Sequence, residues 1–141
     1  MSEALTYSTI HEGFEFLEDW DSRYQYIIDL GLKLPDMPED YKNDHTRVHQ
    51  CMSRVWIHPY LGSDKTVEFF GHSDTDTIKG IVAILIAIYS HKTIDQILAT
   101  DADEKFEELG LFDHLSPTRH VGVYAMVEQT RQQVADLTSQ Q

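Results

Sequence analysis

The chain has 141 residues, 41% of them hydrophobic, which is enough for one globular domain with a buried core. Its 11 Lys and Arg residues are outnumbered by 24 Asp and Glu residues, giving a formal net charge of -13. A surface this negative repels phosphate backbones and anionic membranes, so nucleic-acid and membrane partners are not expected, whereas a basic protein partner would be attracted.

The sequence contains a single cysteine, Cys51, which cannot form an intramolecular disulfide, so a reducing, cytoplasmic setting is expected. The stretch Met1–Leu5 has neither the basic start nor the long apolar run of a signal peptide. The most apolar stretch, Ile78–Tyr89, is shorter than the roughly 20 residues that a membrane span needs.

A long amphipathic helix is predicted at the N-terminal end, after about ten weakly patterned residues. It runs from Glu12 to Leu34, and Pro35 and Pro38 end it in an acidic linker. Its predicted apolar face consists of Phe16, Leu17, Trp20, Tyr24, Ile27, Ile28 and Leu32.

A β-hairpin is predicted next. Arg54–Tyr60 alternates buried and outward-facing positions, Gly62–Lys65 has the composition of a turn, and Thr66–Phe70 is predicted as the returning strand. Pro59 has no N–H to donate to a sheet, so that end of the first strand is expected to be an edge or a bulge.

The second half of the chain is predicted to be helical. Ser73–Asp76 supplies oxygens for a helix N-cap, with Asp74 the simplest capping residue, and the following helix, Thr75–Ser90, is apolar nearly all round and therefore central to the core. Two short helices follow at Thr93–Leu98 and Asp103–Leu109. The last helix opens at Ser116-Pro117 and ends near Leu137, and its predicted apolar positions are Val121, Tyr124, Ala125, Val127 and Val134.

This order of elements predicts an α+β fold in one domain covering residues 1–141, with an ordered core from about 12 to 137 and a disordered tail. The hairpin, with a possible third strand, forms a small antiparallel sheet packed against several helices.

The chemistry is expected at Cys51. No Asp or Glu occurs between His45 and His58, a window that carries His45, Arg47, His49, Arg54 and His58. Cationic neighbours stabilise a thiolate, the nucleophilic form of cysteine, so the pattern favours a reactive thiol. The alternative is a small buried side chain with no chemical role.

Three other functions are compatible with these residues. His45, His49 and Cys51 could bind a metal ion, although a structural zinc site usually has four ligands. A Cys–His hydrolase could form if His72, His114 or His120 lay beside Cys51. The chain could also be a purely regulatory protein-binding module.

Three motifs resemble those of the SufE family, and the resemblance runs from about Phe14 to Val134. Gln50–Trp56 (QCMSRVW) is similar to the family pattern Gly-Cys-Gln-Ser-x-Val-Trp, Ser73–Gly80 (SDTDTIKG) to its Ser-Asp-Ala helix start, and Leu115–Gly122 (LSPTRHVG) to its Leu-Ser-Pro-Ser-Arg element. Two positions depart from the pattern. Gln50 replaces a glycine, which makes a positive φ costlier in the loop, and Met52 replaces a glutamine.

The resemblance implies an α+β fold of the SufE/IscU kind. It implies a sulfur acceptor that takes persulfide sulfur from a PLP-dependent cysteine desulfurase onto Cys51, stimulates that desulfurase, and delivers sulfur to an iron–sulfur scaffold complex. The chain would then be a carrier and activator, not a stand-alone enzyme, with no cofactor of its own, and it would form a homodimer.

The resemblance also places Asp74 and Arg119 near the Cys51 loop, where they would help to hold its resting position with His49, Gln50 and Ser53. A persulfide open to solvent would be lost to oxidants and small thiols. We therefore expect Cys51 to point into an apolar hollow near Trp56, Tyr60 and the central helix in the free protein.

Overall fold

The computed structural model describes residues 6–51 and 53–140, except for the side chains of Ser139 and Gln140. The expectations for residues 1–5 and Gln141 lie outside the described residues. The α-helices and β-strands of the described residues are α1 (Tyr7–Phe16), α2 (Trp20–Leu32), β1 (Val55–Leu61), β2 (Val67–Ser73), α3 (Asp76–Tyr89), α4 (Ile94–Leu98), α5 (Ala102–Glu108) and α6 (Pro117–Asp136). Short 3-10 helices lie at Glu39–Tyr41, Phe112–His114 and Leu137–Gln140. The predicted α+β class is confirmed.

The single N-terminal helix predicted from Glu12 to Leu34 is wrong, because the chain breaks between Phe16 and Trp20. Asp19 begins α2 by accepting a hydrogen bond from the Ser22 backbone N–H at 2.9 Å. The Arg23 side chain donates to the carbonyl oxygens at the end of α1, which allows the first helix to stop there. The break also changes which side chains face inward. Phe16 and Leu32 belong to the predicted apolar face, but they are 85% and 66% exposed.

The hairpin prediction is confirmed, and β2 continues to Ser73, three residues past the predicted end. The strands pair antiparallel without a bulge, from Val55 opposite Ser73 to Leu61 opposite Val67. In place of a third strand, residues 46–48 make an isolated bridge to the other side of β1. The Pro59 nitrogen faces that outer side of β1, where residue 59 does not have to donate a hydrogen bond to β2. The predicted edge position of Pro59 is therefore confirmed.

Helix α3 is the centre of the core, as predicted, and packs on both α2 and β2. Its approach to α2 depends on two glycines. A Cβ on Gly80 would lie 2.1 Å from the carbonyl oxygen of Ile27, and one on Gly31 would lie 2.7 Å from the Gly80 nitrogen. Gly31 and Gly80 therefore permit a close crossing of α2 and α3.

The predicted short helices α4 and α5 are present. Thr93 and Gln96 form a reciprocal capping box at the start of α4. Gly110, with φ of 71°, takes the left-handed conformation just after α5.

Helix α6 begins where predicted, with the Ser116 hydroxyl accepting from the Arg119 N–H. Part of its predicted apolar face is wrong, because Val121 and Tyr124 are 58% and 46% exposed. The residues it buries are Gly122, Val123, Met126, Val127, Thr130 and Val134. The last described residues, Leu137–Gln140, form a 3-10 helix in which Leu137 is buried, and the disorder expected after Leu137 stays a prediction. None of the described helices is long and apolar enough to cross a membrane.

Candidate functional site

Cys51 lies in a short loop that is fastened at its base to the sheet. The Val48 N–H donates to the Val55 carbonyl at 2.8 Å, and the Cys51 N–H donates to the Val48 carbonyl at 3.4 Å. The loop therefore leaves the sheet at Val48 and returns to it at Val55, and Cys51 lies near the middle of its sequence.

The thiol points inward, toward α6. Its S–H donates to the carbonyl oxygen of Gly122, with Sγ 3.3 Å from that oxygen. A Cβ on Gly122 would lie 3.1 Å from Sγ, which is tighter than ordinary packing. Because glycine has no side chain, the sulfur can pack directly against the backbone of α6 at Gly122.

The half-buried thiol faces a cavity of about 280 Å³. Its lining residues come from the Cys51 loop, the start of α3, and the N-cap and first half of α6, and they are Cys51, Ser53, Ile78, Ser116, Thr118, Arg119, Gly122 and Met126. The expected inward orientation is confirmed, and so is the contribution of the central helix through Ile78. Trp56 and Tyr60 do not line this cavity, so that part of the expectation is wrong, and the lining is partly polar.

The expected stabilisation of a thiolate by basic neighbours is wrong for this conformation, because burial raises the pKa of the Cys51 thiol. The basic side chains nearby in sequence have other partners. Arg47 lies 5.7 Å over the Trp56 ring, and the His49 ring contacts the Asp44 carbonyl oxygen at 3.0 Å. A protonated thiol also agrees with the S–H donating to a carbonyl.

Asp74 binds the end of the loop that leads into β1. The sequence predicted that Asp74 would cap α3, and this prediction is wrong. The Asp74 carboxylate accepts from the Arg54 backbone N–H at 3.1 Å and lies 3.7 Å from the Arg54 Nε. The N-cap residue of α3 is Thr75, which makes no side-chain capping bond and donates its hydroxyl hydrogen to the Ser53 hydroxyl at 2.9 Å. These contacts fix the residues just after Cys51 to the start of α3.

The described hydrogen bond of the sulfur goes to Gly122 and to none of the other predicted site residues. His49 and Gln50 are exposed. Arg119 lines the cavity, and within the described part of the chain its guanidinium has no hydrogen bond or ion pair. Sequence reasoning missed Gly122 and Met126 as walls of the cavity, although Gly122 closes the third motif.

The structure gives no support to the metal or hydrolase alternatives. Among the described residues, no three His, Cys, Asp or Glu side chains are grouped to hold a metal ion. The candidate histidines have other contacts: His72 stacks on Trp56, His114 stacks on Trp20, and His120 bonds to the Phe112 carbonyl.

Comparison with known proteins gives consistent matches. A family model described as "SufE: Fe-S metabolism associated domain" matches residues 8–134. An uncharacterized SufE-like protein of Rhizobium etli is 38% identical over 127 residues, which are 88% of this chain and 86% of that protein. One of Rhizobium meliloti is 37% identical over 125 residues, which are 86% and 89% of the two chains.

A solved structure matches as well. The solution structure of a hypothetical protein from Thermus thermophilus has a TM-score of 0.78 at 20% identity, over 94% of this chain and 96% of that one. At this identity the match shows that the two proteins share a fold.

Proposed function

The chain belongs to the SufE family, and from this premise we propose that Cys51 accepts persulfide sulfur from a PLP-dependent cysteine desulfurase for iron–sulfur cluster assembly. The observation that carries the proposal is the placement of the only cysteine. It lies on a short loop, half-buried, with its sulfur held by one S–H···O bond at the wall of a cavity.

The transfer step is an exchange between a thiolate and a persulfide. The Cys51 thiolate attacks the terminal sulfur of the desulfurase persulfide, and a new S–S bond forms at Cys51. The S–S bond of the donor breaks, and its electron pair leaves with the donor cysteine as a thiolate. One sulfur atom changes carrier, and no outside oxidant or reductant is required.

The resting geometry calls for a movement before transfer. Inside the cavity the Cys51 thiol is turned away from solvent. Burial raises its pKa, which favours the protonated form. When the loop turns outward, the sulfur regains solvation, and its thiolate becomes more accessible. Turning outward breaks the weak bond to Gly122, whereas the loop base at Val48 and Val55 can stay intact.

The cavity also suits the loaded form. Its volume of about 280 Å³ leaves room for one more sulfur atom on Cys51, and enclosure limits attack by small thiols and oxidants. The Arg119 guanidinium on the wall is free to pair with a persulfide anion. The loaded protein would then return its loop to the resting position.

We further propose that the protein stimulates the desulfurase, passes sulfur to an iron–sulfur scaffold complex, works in the cytoplasm and forms a homodimer. The family match supports the link to iron–sulfur metabolism. The net charge of -13 would favour partners with basic faces.

The proposal is tested by incubating the protein with a cysteine desulfurase and L-cysteine and measuring its intact mass. Wild type should gain the mass of one sulfur atom, and a reductant should remove it. Cys51→Ser should gain none. Ser63→Ala, in the exposed turn of the hairpin, is the matched control and should load like wild type.

Desulfurase turnover is followed in the same samples. It should rise with wild type and with Ser63→Ala and stay at the baseline with Cys51→Ser. Equal stimulation by Cys51→Ser, with no sulfur on the wild-type protein, would show a regulatory module and contradict the carrier role.

A further inference from the structure

Helix α6 contacts the Cys51 loop and the chain before it along one stripe of its surface. The stripe consists of Gly122, Met126, Gln129 and Gln133, which are spaced by four, three and four residues. At about 100° per residue, these positions lie within about 60° of one another around the helix. Gly122 and Met126 line the thiol cavity, and the two glutamines extend the same surface toward the end of the helix.

The two glutamines bind carbonyl groups at the base of the loop. The Nε2 atom of Gln129 donates to the Arg47 carbonyl oxygen at 2.8 Å. The Nε2 atom of Gln133 donates to two carbonyl oxygens, that of His45 at 3.2 Å and that of Ile57 at 3.1 Å. Gln133 therefore joins α6 both to β1 and to the segment that precedes the loop.

That segment, residues 45–48, is called the base segment here. Its bonds to β1 are made by the Thr46 carbonyl, which accepts from the Ile57 N–H at 2.9 Å, and by the Val48 N–H. Its other two carbonyls, those of His45 and Arg47, are the ones that α6 binds. The base segment is therefore held between β1 and α6, just before the chain enters the Cys51 loop.

The orientation of the Gln133 amide follows from these carbonyls. Its oxygen, Oε1, is buried and has no hydrogen-bond partner in the described part of the chain. A buried acceptor without a donor costs free energy, but the reversed amide would place that oxygen against two carbonyl oxygens, which have no hydrogen to donate. The amide therefore keeps its N–H groups on His45 and Ile57.

We propose that Gln129 and Gln133 are positioning residues for sulfur transfer, because they fix the base segment on α6 and so return the sulfur of Cys51 to its place beside Gly122 after each outward movement. The inference rests on the proposed carrier function of Cys51. An S–H group is a weak donor, so the bond to the Gly122 carbonyl holds the thiol only loosely. In the loaded form Sγ is bonded to a second sulfur and has no hydrogen to donate to Gly122, whereas the amide bonds of the base segment remain.

The test compares two double variants of the full-length protein. Gln129→Met with Gln133→Met keeps long side chains and removes the N–H donors, whereas Gln129→Lys with Gln133→Lys keeps a donor at both positions. An aromatic disulfide reagent should react with Cys51 at least about fivefold faster in the methionine variant, since the loss of one ordinary hydrogen bond shifts an equilibrium by about that factor. The lysine variant should react at close to the wild-type rate, which loss of packing alone would not explain.

Gln132→Met is the matched control. Its side chain is exposed, and its amide bonds within α6, to Asp136 at 3.1 Å. This variant should react like wild type. If the double methionine variant folds poorly, Gln129→Met alone keeps the Gln133 bonds and should still react faster than Gln132→Met.

The variants are then loaded with a cysteine desulfurase and L-cysteine, and the loss of the added sulfur mass to glutathione is followed over time. The loaded methionine variant should lose its sulfur at least about fivefold faster than the loaded wild type, for the same reason. Wild-type reagent rates in both methionine variants, or a lysine variant as reactive as the methionine variant, would overturn the inference. The reagent rates need no desulfurase, so a wild-type protein that fails to load would contradict the carrier function separately.

Discussion

The sulfur of Cys51 rests against the backbone of Gly122, 3.3 Å from its carbonyl oxygen and 3.1 Å from the position that a Cβ on that residue would take. The two residues are 71 positions apart in the chain. The inward position of the thiol therefore depends on α6 as much as on the loop itself, and it can be altered without touching either the cysteine or its neighbours.

Gly122→Ala should make the thiol more reactive without weakening the fold. The new methyl group would crowd Sγ and weaken the S–H···O bond, which shifts the loop outward. Alanine in place of a glycine inside a helix favours the helix by about 1 kcal/mol, so the melting temperature should stay level or rise. The rate of reaction with an aromatic disulfide reagent measures the first effect, and a thermal melt the second.

Val121→Ala is the matched control, because that side chain lies on the exposed face of α6. It should leave thiol reactivity at the wild-type level. An unchanged rate in Gly122→Ala would show that the sulfur does not depend on this contact.

The reactivity of Cys51 in the free protein should depend on pH in the manner of a buried thiol. Burial raises its pKa, so the alkylation rate should have its midpoint above the ordinary thiol pKa of about 8.5. In denaturant the same cysteine should titrate near the ordinary value. Iodoacetamide alkylation followed by mass spectrometry measures both, and a midpoint below about 8 in the folded protein would restore the thiolate expected from the sequence.

Removing the Asp74 carboxylate should loosen the loop. Asp74→Ala deletes the acceptor for the Arg54 N–H and the ion pair with its side chain, and it should cost about 1 kcal/mol of unfolding free energy. Asp74→Asn keeps one acceptor and should cost less. Amide hydrogen exchange at Ser53 and Arg54 should accelerate most in Asp74→Ala, whereas Asp36→Ala in the exposed linker should match wild type.

The stability of the fold should fall in mild acid, in part through His58. This ring stacks on Tyr41 with centroids 4.3 Å apart, and burial lowers its pKa. Below the ordinary histidine pKa of about 6.5 the unfolded chain binds a proton that the folded ring resists, so the contribution of His58 is full above that pH and is lost as the pH falls.

Urea unfolding at about pH 7.5 and about pH 5, on either side of the ordinary histidine pKa, tests this contribution. His58→Phe keeps the stacked ring and removes the titration, so its stability should fall less between the two pH values than that of wild type. His45→Gln, at an exposed position, should fall as much as wild type. An identical loss in His58→Phe would assign the acid sensitivity to other groups, among them His72, whose pKa is also lowered.

Local patterns in the sequence were enough for several elements. The alternation around Val55 and Ile57 predicted the hairpin, and the nearly unbroken apolar run of α3 predicted its central place, because both depend on periodic burial. The start of α4 followed from Thr93 and Gln96, whose capping box spans four residues. Each of these features depends on residues that are close in sequence.

The features that were missed depend on contacts between distant segments or on one specific side chain. The break before α2 needs Asp19 as a cap and the Arg23 side chain on the end of α1, although the apolar spacing runs on without a gap. The walls of the thiol cavity could not be assigned because Gly122 and Met126 reach Cys51 only through tertiary packing. The thiolate prediction failed because cations adjacent in sequence turn toward other partners, as Arg47 does.

The backbone bond between Val48 and Val55 sets how far the sulfur can reach. Cys51 is three residues from Val48 and four residues from Val55. An extended chain covers about 3.4 Å per residue, so even a fully straightened loop carries the Cys51 Cα no more than roughly 10 Å from Val48, and the sulfur only one cysteine side chain further. A protein that exchanges an atom with this cysteine must bring its own reactive group within that radius, on a projecting arm or in a shallow site, since a group at the bottom of a deep cleft would stay out of range.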